Sequence, residues 1–246
     1  QGIASWNWKA NGTGSANTAG SINSTVSANT TSGFSIVSYT GTGANATVGH
    51  GLGAVPKMII VKRLNSADNW RTYHGSLGAT KWLNLNGDDA VNTSITKWNN
   101  TEPTSSVFSI GTDSAINASS STYIAYVFAD VQGYSKFGSY VATGTADSAF
   151  CYTGFSPAFV MIKRTDGGDS WVTIDSKRDT YNQTSKTLHA DLADAEIDRQ
   201  SLDFLSNGFK IRAGNGLING TGNNHIYMAF AKAPLVGSNN VPCTAR

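Results

Sequence analysis

PKMIIVKRLNSADNW, residues 56–70, sets four apolar residues directly against a Lys62-Arg63 pair and ends on Trp70; PAFVMIKRTDGGDSW, residues 157–171, sets out the same pattern again. Four consecutive apolar residues without alternation read as a strand buried on both faces, since a half-exposed strand would alternate apolar with polar. Met58-Ile59-Ile60-Val61 and Phe159-Val160-Met161-Ile162 should therefore be interior strands. Read once, Lys62, Arg63 and Trp70 could form a basic-aromatic binding patch. Read twice, Pro56, Lys62, Arg63 and Trp70, with Pro157, Lys163, Arg164 and Trp171, become anchors that each of two units requires.

A shift of 101 residues carries Ile36–Trp70 onto Phe137–Trp171 without a gap, and ten of these 35 positions are identical, among them Tyr39/Tyr140 and Asp68/Asp169. The same shift places His50 on Cys151. The correspondence slips by four residues after the tryptophan and returns at Phe108/Phe209, and the units close with TYIAYVFADV and NHIYMAFAKA. Within each unit, apolar segments of four to ten residues are separated by Gly-, Asn- and Ser-rich turns. That spacing predicts an all-β chain of two tandem antiparallel β-sandwich units with a jelly-roll-like character. The expected units cover 34–133 and 134–246, the second with a C-terminal tail, and 34–131 should superpose on 135–233. SWNWKA resembles AYVFAD, so residues 1–10 read as the last strand of a preceding unit and 11–33 as a linker, extended or weakly paired. Only LADAEIDRQ, residues 192–200, suggests a short helix.

Charged residues make up 14% of the chain, against roughly 25% in ordinary soluble domains, and Gly, Ser, Thr and Asn take their place. The net charge is +2 and no Lys/Arg cluster exceeds two adjacent residues, so the basic stripe of a nucleic-acid binder is missing. No apolar run approaches the ~18 residues that span a bilayer, and membrane insertion is not expected. Cys151 and Cys243 lie far apart without a CxxC pattern; a single bridge between them is conceivable, and a buried free Cys151 is the preferred reading.

Chemistry has few footholds. Glycan hydrolysis needs two carboxylates about 5–10 Å apart, yet the chain holds only Glu102 and Glu196 as glutamates, while nine of its sixteen acids fall between Asp166 and Asp203. Asp166 and Asp169, in TDGGDS, could offer oxygens to calcium, although a plain turn is the simpler reading. His50, His74, His189 and His225 never reach metal-ligand spacing, and no nucleophile elbow or phosphate loop is present. Neither a metal nor any other cofactor is expected. Trp82 and Trp98, which lack an aromatic counterpart in the other unit, and Tyr73 and Tyr181 are the candidate platforms for sugar rings, against the alternative of core packing.

The phrases GFSIVSYTGTG, TVGHGLGAVPKMIIVKR, TYIAYVFADVQGYSKFGSY, DFLSNGFKIR and PLVGSNNVPCTAR together resemble the C-terminal repeat region of bacteriophage tail-fibre and related virion structural proteins, especially of cyanobacterial and other aquatic hosts. The resemblance covers about residues 4–246. It implies a non-enzymatic component of an extracellular virus particle, homo-oligomeric and commonly trimeric, in contact with other virion proteins and engaged in host attachment through a surface glycan. It carries no catalytic or binding residues with it. A purely structural virion or filament protein is the alternative, and a polysaccharide-degrading tailspike, tested at Asp166 or Asp175, is the third reading.

Overall fold

The computed structural model describes residues 4–213, 216–232, 235–236 and 242–243. The chain is all-β, built of antiparallel sheets with two one-turn helices. The first half runs β1 (Ser15–Asn17), β2 (Ser24–Asn29), β3 (Phe34–Thr40), β4 (Ala46–Gly49), β5 (Pro56–Arg63), β6 (Arg71–His74), β7 (Lys81–Asn84), β8 (Asn92–Thr93), β9 (Val107–Ile110), α1 (Ser114–Asn117) and β10 (Thr122–Ala129). The second runs β11 (Ser135–Val141), β12 (Phe150–Tyr152), β13 (Pro157–Arg164), β14 (Val172–Asp175), β15 (Thr184–His189), β16 (Ile197–Leu205), β17 (Gly208–Ala213), α2 (Gly216–Asn219) and β18 (Asn224–Ala231), followed by β19 (Leu235–Val236) and β20 (Pro242–Cys243). One sheet has the order β1-β2-β3-β10-β5-β6-β7-β8, with β4 and β9 paired separately. The other has the order β11-β18-β13-β14-β15-β16-β17-β12.

The unbroken apolar runs follow from this arrangement. Successive side chains of a strand point to opposite faces, so Ile59 and Val61 enter a core beneath the first sheet with Tyr39, Val48, Phe108, Ile116 and Val127. Met58 and Ile60 point the other way, into a layer shared with the second sheet. Phe159 and Met161 meet them there, while Val160 and Ile162 face the second half's own core with Phe209 and Ile211. Both strands are therefore wet on neither face. Each such side chain contributes about 1.5–3 kcal/mol on burial.

The one-turn helices are held alike. Tyr39 Oη donates to the Ile116 carbonyl at 2.7 Å and Tyr140 Oη to that of Ile218 at 2.8 Å. Asn117 and Asn219, at the helix ends, donate to the carbonyls of Ala44 and Thr145. This accounts for the recurrence of tyrosine at both sites.

Four expectations are corrected. Residues 192–200 form no helix: 192–196 lie outside regular structure, and Ile197 begins β16, which is hydrogen-bonded to β15 and β17. Good local helix formers yield here, at Ile197 and Asp198, to pairing with Thr187 and Lys186 of β15. Segment 11–33 is more than a linker, because β2 pairs with β3 over six positions. Residues 4–10 lie in no strand; Trp6 and Trp8 instead pack their rings against Phe159, Phe128 and Phe230. Finally, Val48 stands opposite Phe108 and Cys151 opposite Phe209, so the ladders match Cys151 with Val48 and not with His50.

Candidate functional site

The basic pairs are turn clamps. Lys62 Nζ donates to the carbonyls of Ser66 and Asp68, at 3.1 and 2.6 Å, and Arg63 Nη1 lies 3.3 Å from the Asp68 carboxylate. In the second half Lys163 is fully buried and its Nζ donates to the carbonyls of Arg164, Asp169 and, from the first half, Asp88. Burial pulls this amine down to about 8, against the carboxylates of Asp169, Asp191 and Asp88, which pull the other way. Arg164 is gripped by Asp166 at 2.7 Å and Asp169 at 2.9 Å. The two acids considered for calcium thus close around a guanidinium. Burial opposes ionisation of Asp166, but hydrogen bonds from Arg164 and Asn224 hold its carboxyl down at about 2.

Three of the four proposed sugar platforms are occupied. Trp98 and Tyr73 lie in the first core in edge-to-face contact, 5.8 Å between centroids, and both are about 2% exposed. Tyr73 Oη donates to Glu102, which also accepts the Ala79 N–H at 2.7 Å. Trp82 is partly buried, with Arg71 Cζ 4.6 Å and Lys97 Nζ 4.5 Å from its ring centroid; cations hold its faces, and Lys97 is itself paired with Asp113. Tyr181 alone is open, 82% exposed, over a shallow concavity of about 200 Å³ that includes Thr180, Asn182, Phe204 and Lys232. Trp171, by contrast with Trp70, is sealed: its Nε1 donates to the Asn84 carbonyl of the other half at 2.8 Å, while Trp70 is partly buried and stacks on Tyr126.

The acids considered for hydrolysis are engaged by neighbouring groups. Asp175 accepts from Arg178 Nε at 2.6 Å and from the Lys177 and Arg178 N–H groups, which lower its carboxyl despite burial. Both glutamates are engaged, Glu102 as above and Glu196 with Arg178 and Lys186. Among the described residues no group of three His, Cys, Asp or Glu converges as a metal would require, and no helix is long and apolar enough to cross a membrane. Cys151 is buried and free, its thiol pushed up to about 12 by burial; the Cys243 side chain lies outside the described residues.

A cleft of about 420 Å³ opens where the β10–β11 turn meets the end of β12. It is lined by Asp130, Gln132, Lys136, Tyr152 and Thr153, among others. Tyr152 is 63% exposed and Phe150 47%, with Cys151 turned inward between them. The alternation in FCY carries this signal, but matching Cys151 with His50 hides it.

No curated protein and no solved structure matches the chain. A family model for a domain of unknown function, DUF7483, matches residues 1–234 of the 246. The chain therefore belongs to the DUF7483 domain family.

Proposed function

We propose that the chain is a non-enzymatic module of a bacteriophage tail fibre or a related virion structural protein, built of two tandem β-sandwich units and displayed outside the particle as part of a homo-oligomer, by preference a trimer. The observation that carries this reading is where the reactive groups go. Its buried lysine, its arginine–aspartate pairs and all but one of the candidate aromatics serve internal clamps and cores. Strand orders β3-β10-β5-β6-β7 and β11-β18-β13-β14-β15 run alike, which supports two units of one design. A weakly charged, turn-rich surface over such cores suits a durable scaffold, and the resemblance to tail-fibre repeats supplies the setting. Immunogold labelling of intact particles with an antibody against this chain tests the reading. Gold along the fibres supports it, and particles that stay unlabelled while the free chain is recognised would overturn it.

Contact with a host glycan is favoured by one observation, the open Tyr181 ring above its shallow concavity. Aromatic faces suit the C–H face of a sugar. On a glycan array the chain should bind a surface polysaccharide, and Tyr181→Ala should lower that signal about tenfold, a loss of ~1.4 kcal/mol. Unchanged binding by the variant would remove Tyr181 from the contact.

A further inference from the structure

The two halves differ along the outer edges of β3 and β11. In the first half β2 runs along β3, and the residues leading into it cover β4: Ile22 N–H donates to the Thr47 carbonyl at 3.0 Å, Thr47 N–H to Ser21 Oγ at 2.8 Å, and Ser24 Oγ to the Gly49 carbonyl at 2.9 Å. One strand closes the gap between β3 and β4. The corresponding strands of the second half are β11 and β12. The ladders fix this correspondence, since Val48 and Cys151 stand opposite Phe108 and Phe209, and His50 and Thr153 donate to the carbonyls of Ser106 and Asn207. Among the described residues β11 has β18 as its one strand neighbour and β12 has β17; Val131 bridges Ser135 at the start of β11, and from Ser139 onward no strand covers the seam between them.

What lines the seam matches a missing strand. Thr47 and Gly49, covered in the first half, correspond to Phe150 and Tyr152, and both of these are exposed along with Val141 at the end of β11. The cleft described above has Ser135 and Lys136 of β11 on one side and Tyr152 of β12 on the other. Phe137 turns its N–H away from β18, where Asp130 Oδ1 accepts it at 2.9 Å. By the two-residue alternation of an antiparallel ladder, Ser139 and Val141 also aim their N–H and C=O groups outward. Such an edge is a template for an added strand. The charges at its mouth, Asp130 and Lys136, pair with each other at 2.6 Å, so the seam asks for no charge from an occupant. The segment that fills the equivalent place, Ser21–Asn29, carries none.

We propose that the β11–β12 seam is a strand-acceptor site. It takes an extended, uncharged, Ser/Thr-rich segment with small apolar residues at alternate positions, contributed by another polypeptide and laid antiparallel to β11. The inference rests on the tandem-unit reading above.

The probe is a fluorescein-labelled peptide of residues 21–30, SINSTVSANT, titrated by anisotropy against the whole chain. Saturable 1:1 binding is expected. Ser139→Pro, which removes an outward N–H from an edge strand where proline is tolerated, should weaken it about tenfold or more without moving the melting temperature. The same peptide carrying Val26→Asp should fail to bind. If Ser139→Pro does not fold, Val141→Lys, a charge on the open edge, serves instead. No saturable binding up to about 1 mM, ~4 kcal/mol, or binding indifferent to the edge variants, overturns the site. An experimental structure in which β3-β10-β5 and β11-β18-β13 do not superpose would remove the tandem reading; peptide failure with that superposition intact removes the acceptor site alone.

Discussion

Lys163 shows how a charged residue can be wholly structural. Its three acceptors are main-chain carbonyls of one turn and of the neighbouring half. Lys163→Met should destabilise the chain by about 3 kcal/mol or more, at roughly 1–3 kcal/mol per buried group left without a partner, and Lys62→Met by about 1 kcal/mol because water can replace a half-exposed amine. Urea denaturation of both variants checks the contrast. Trp171→Ala should cost about 3–5 kcal/mol and Trp70→Ala distinctly less, since only the former is fully enclosed. His74 adds a pH dependence. It is buried between the halves, its Nε2 donates to the Tyr227 carbonyl at 3.2 Å, and its Nδ1 accepts from Ser76 N–H. Burial lowers it to about 4, with Asp130 opposing and Lys57 assisting. The unfolded chain, with histidine near 6.5, binds the extra proton first as pH falls. Stability is therefore full above about pH 6.5 and declines by roughly 3 kcal/mol on the way to pH 4. His50 and His225 shift in the same direction. His74→Gln should flatten part of that slope in denaturation curves recorded between pH 7.5 and 4. The anchoring role of Lys163 and Trp171 is legible from their repetition in sequence. The burial of Tyr73 and Trp98 is not, because an unrepeated aromatic carries no mark of which face it occupies.

At the scale of elements, the tyrosine–helix joint is the same device used twice. Tyr39→Phe and Tyr140→Phe each remove one buried hydrogen bond and should cost similar amounts, about 1–2 kcal/mol, in chemical denaturation. A cost at one site only would mean that the two joints differ in function. The interior strands are readable from MIIV and FVMI because an unbroken apolar run at strand length has few other solutions. β2 is harder to see, since STVSAN has one large apolar residue and owes its place to the edge of β3. β16 fails for the converse reason. The local preference at its start is helical, and pairing of Ile197 and Asp198 with β15 overrides it.

For the whole molecule, the decisive feature is the layer between the sheets. Phe34, Met58, Ile60 and Phe128 from one half meet Phe137, Phe159, Met161 and Phe230 from the other. Main-chain and side-chain bonds cross the same boundary, from Val91 N–H to Thr165, from Trp171 to Asn84 and from Lys163 to Asp88. The halves should therefore melt together. Scanning calorimetry is expected to give one transition whose calorimetric and van't Hoff enthalpies agree, and Phe230→Ala should lower its midpoint without splitting it. Two separated peaks would show that the shared layer contributes little.

That layer also sets a counting rule. Each sheet offers it the face that carries Met58 and Ile60 in one half and Phe159 and Met161 in the other. Surfaces that meet through corresponding faces form a closed couple, as the two sides of an isologous dimer do. Neither sheet has a second face of that kind to offer, because the reverse side of each is already filled by its own core. If the halves are two units of one design, as proposed above, a longer assembly of such units would grow by whole couples joined elsewhere, and its parity would be even.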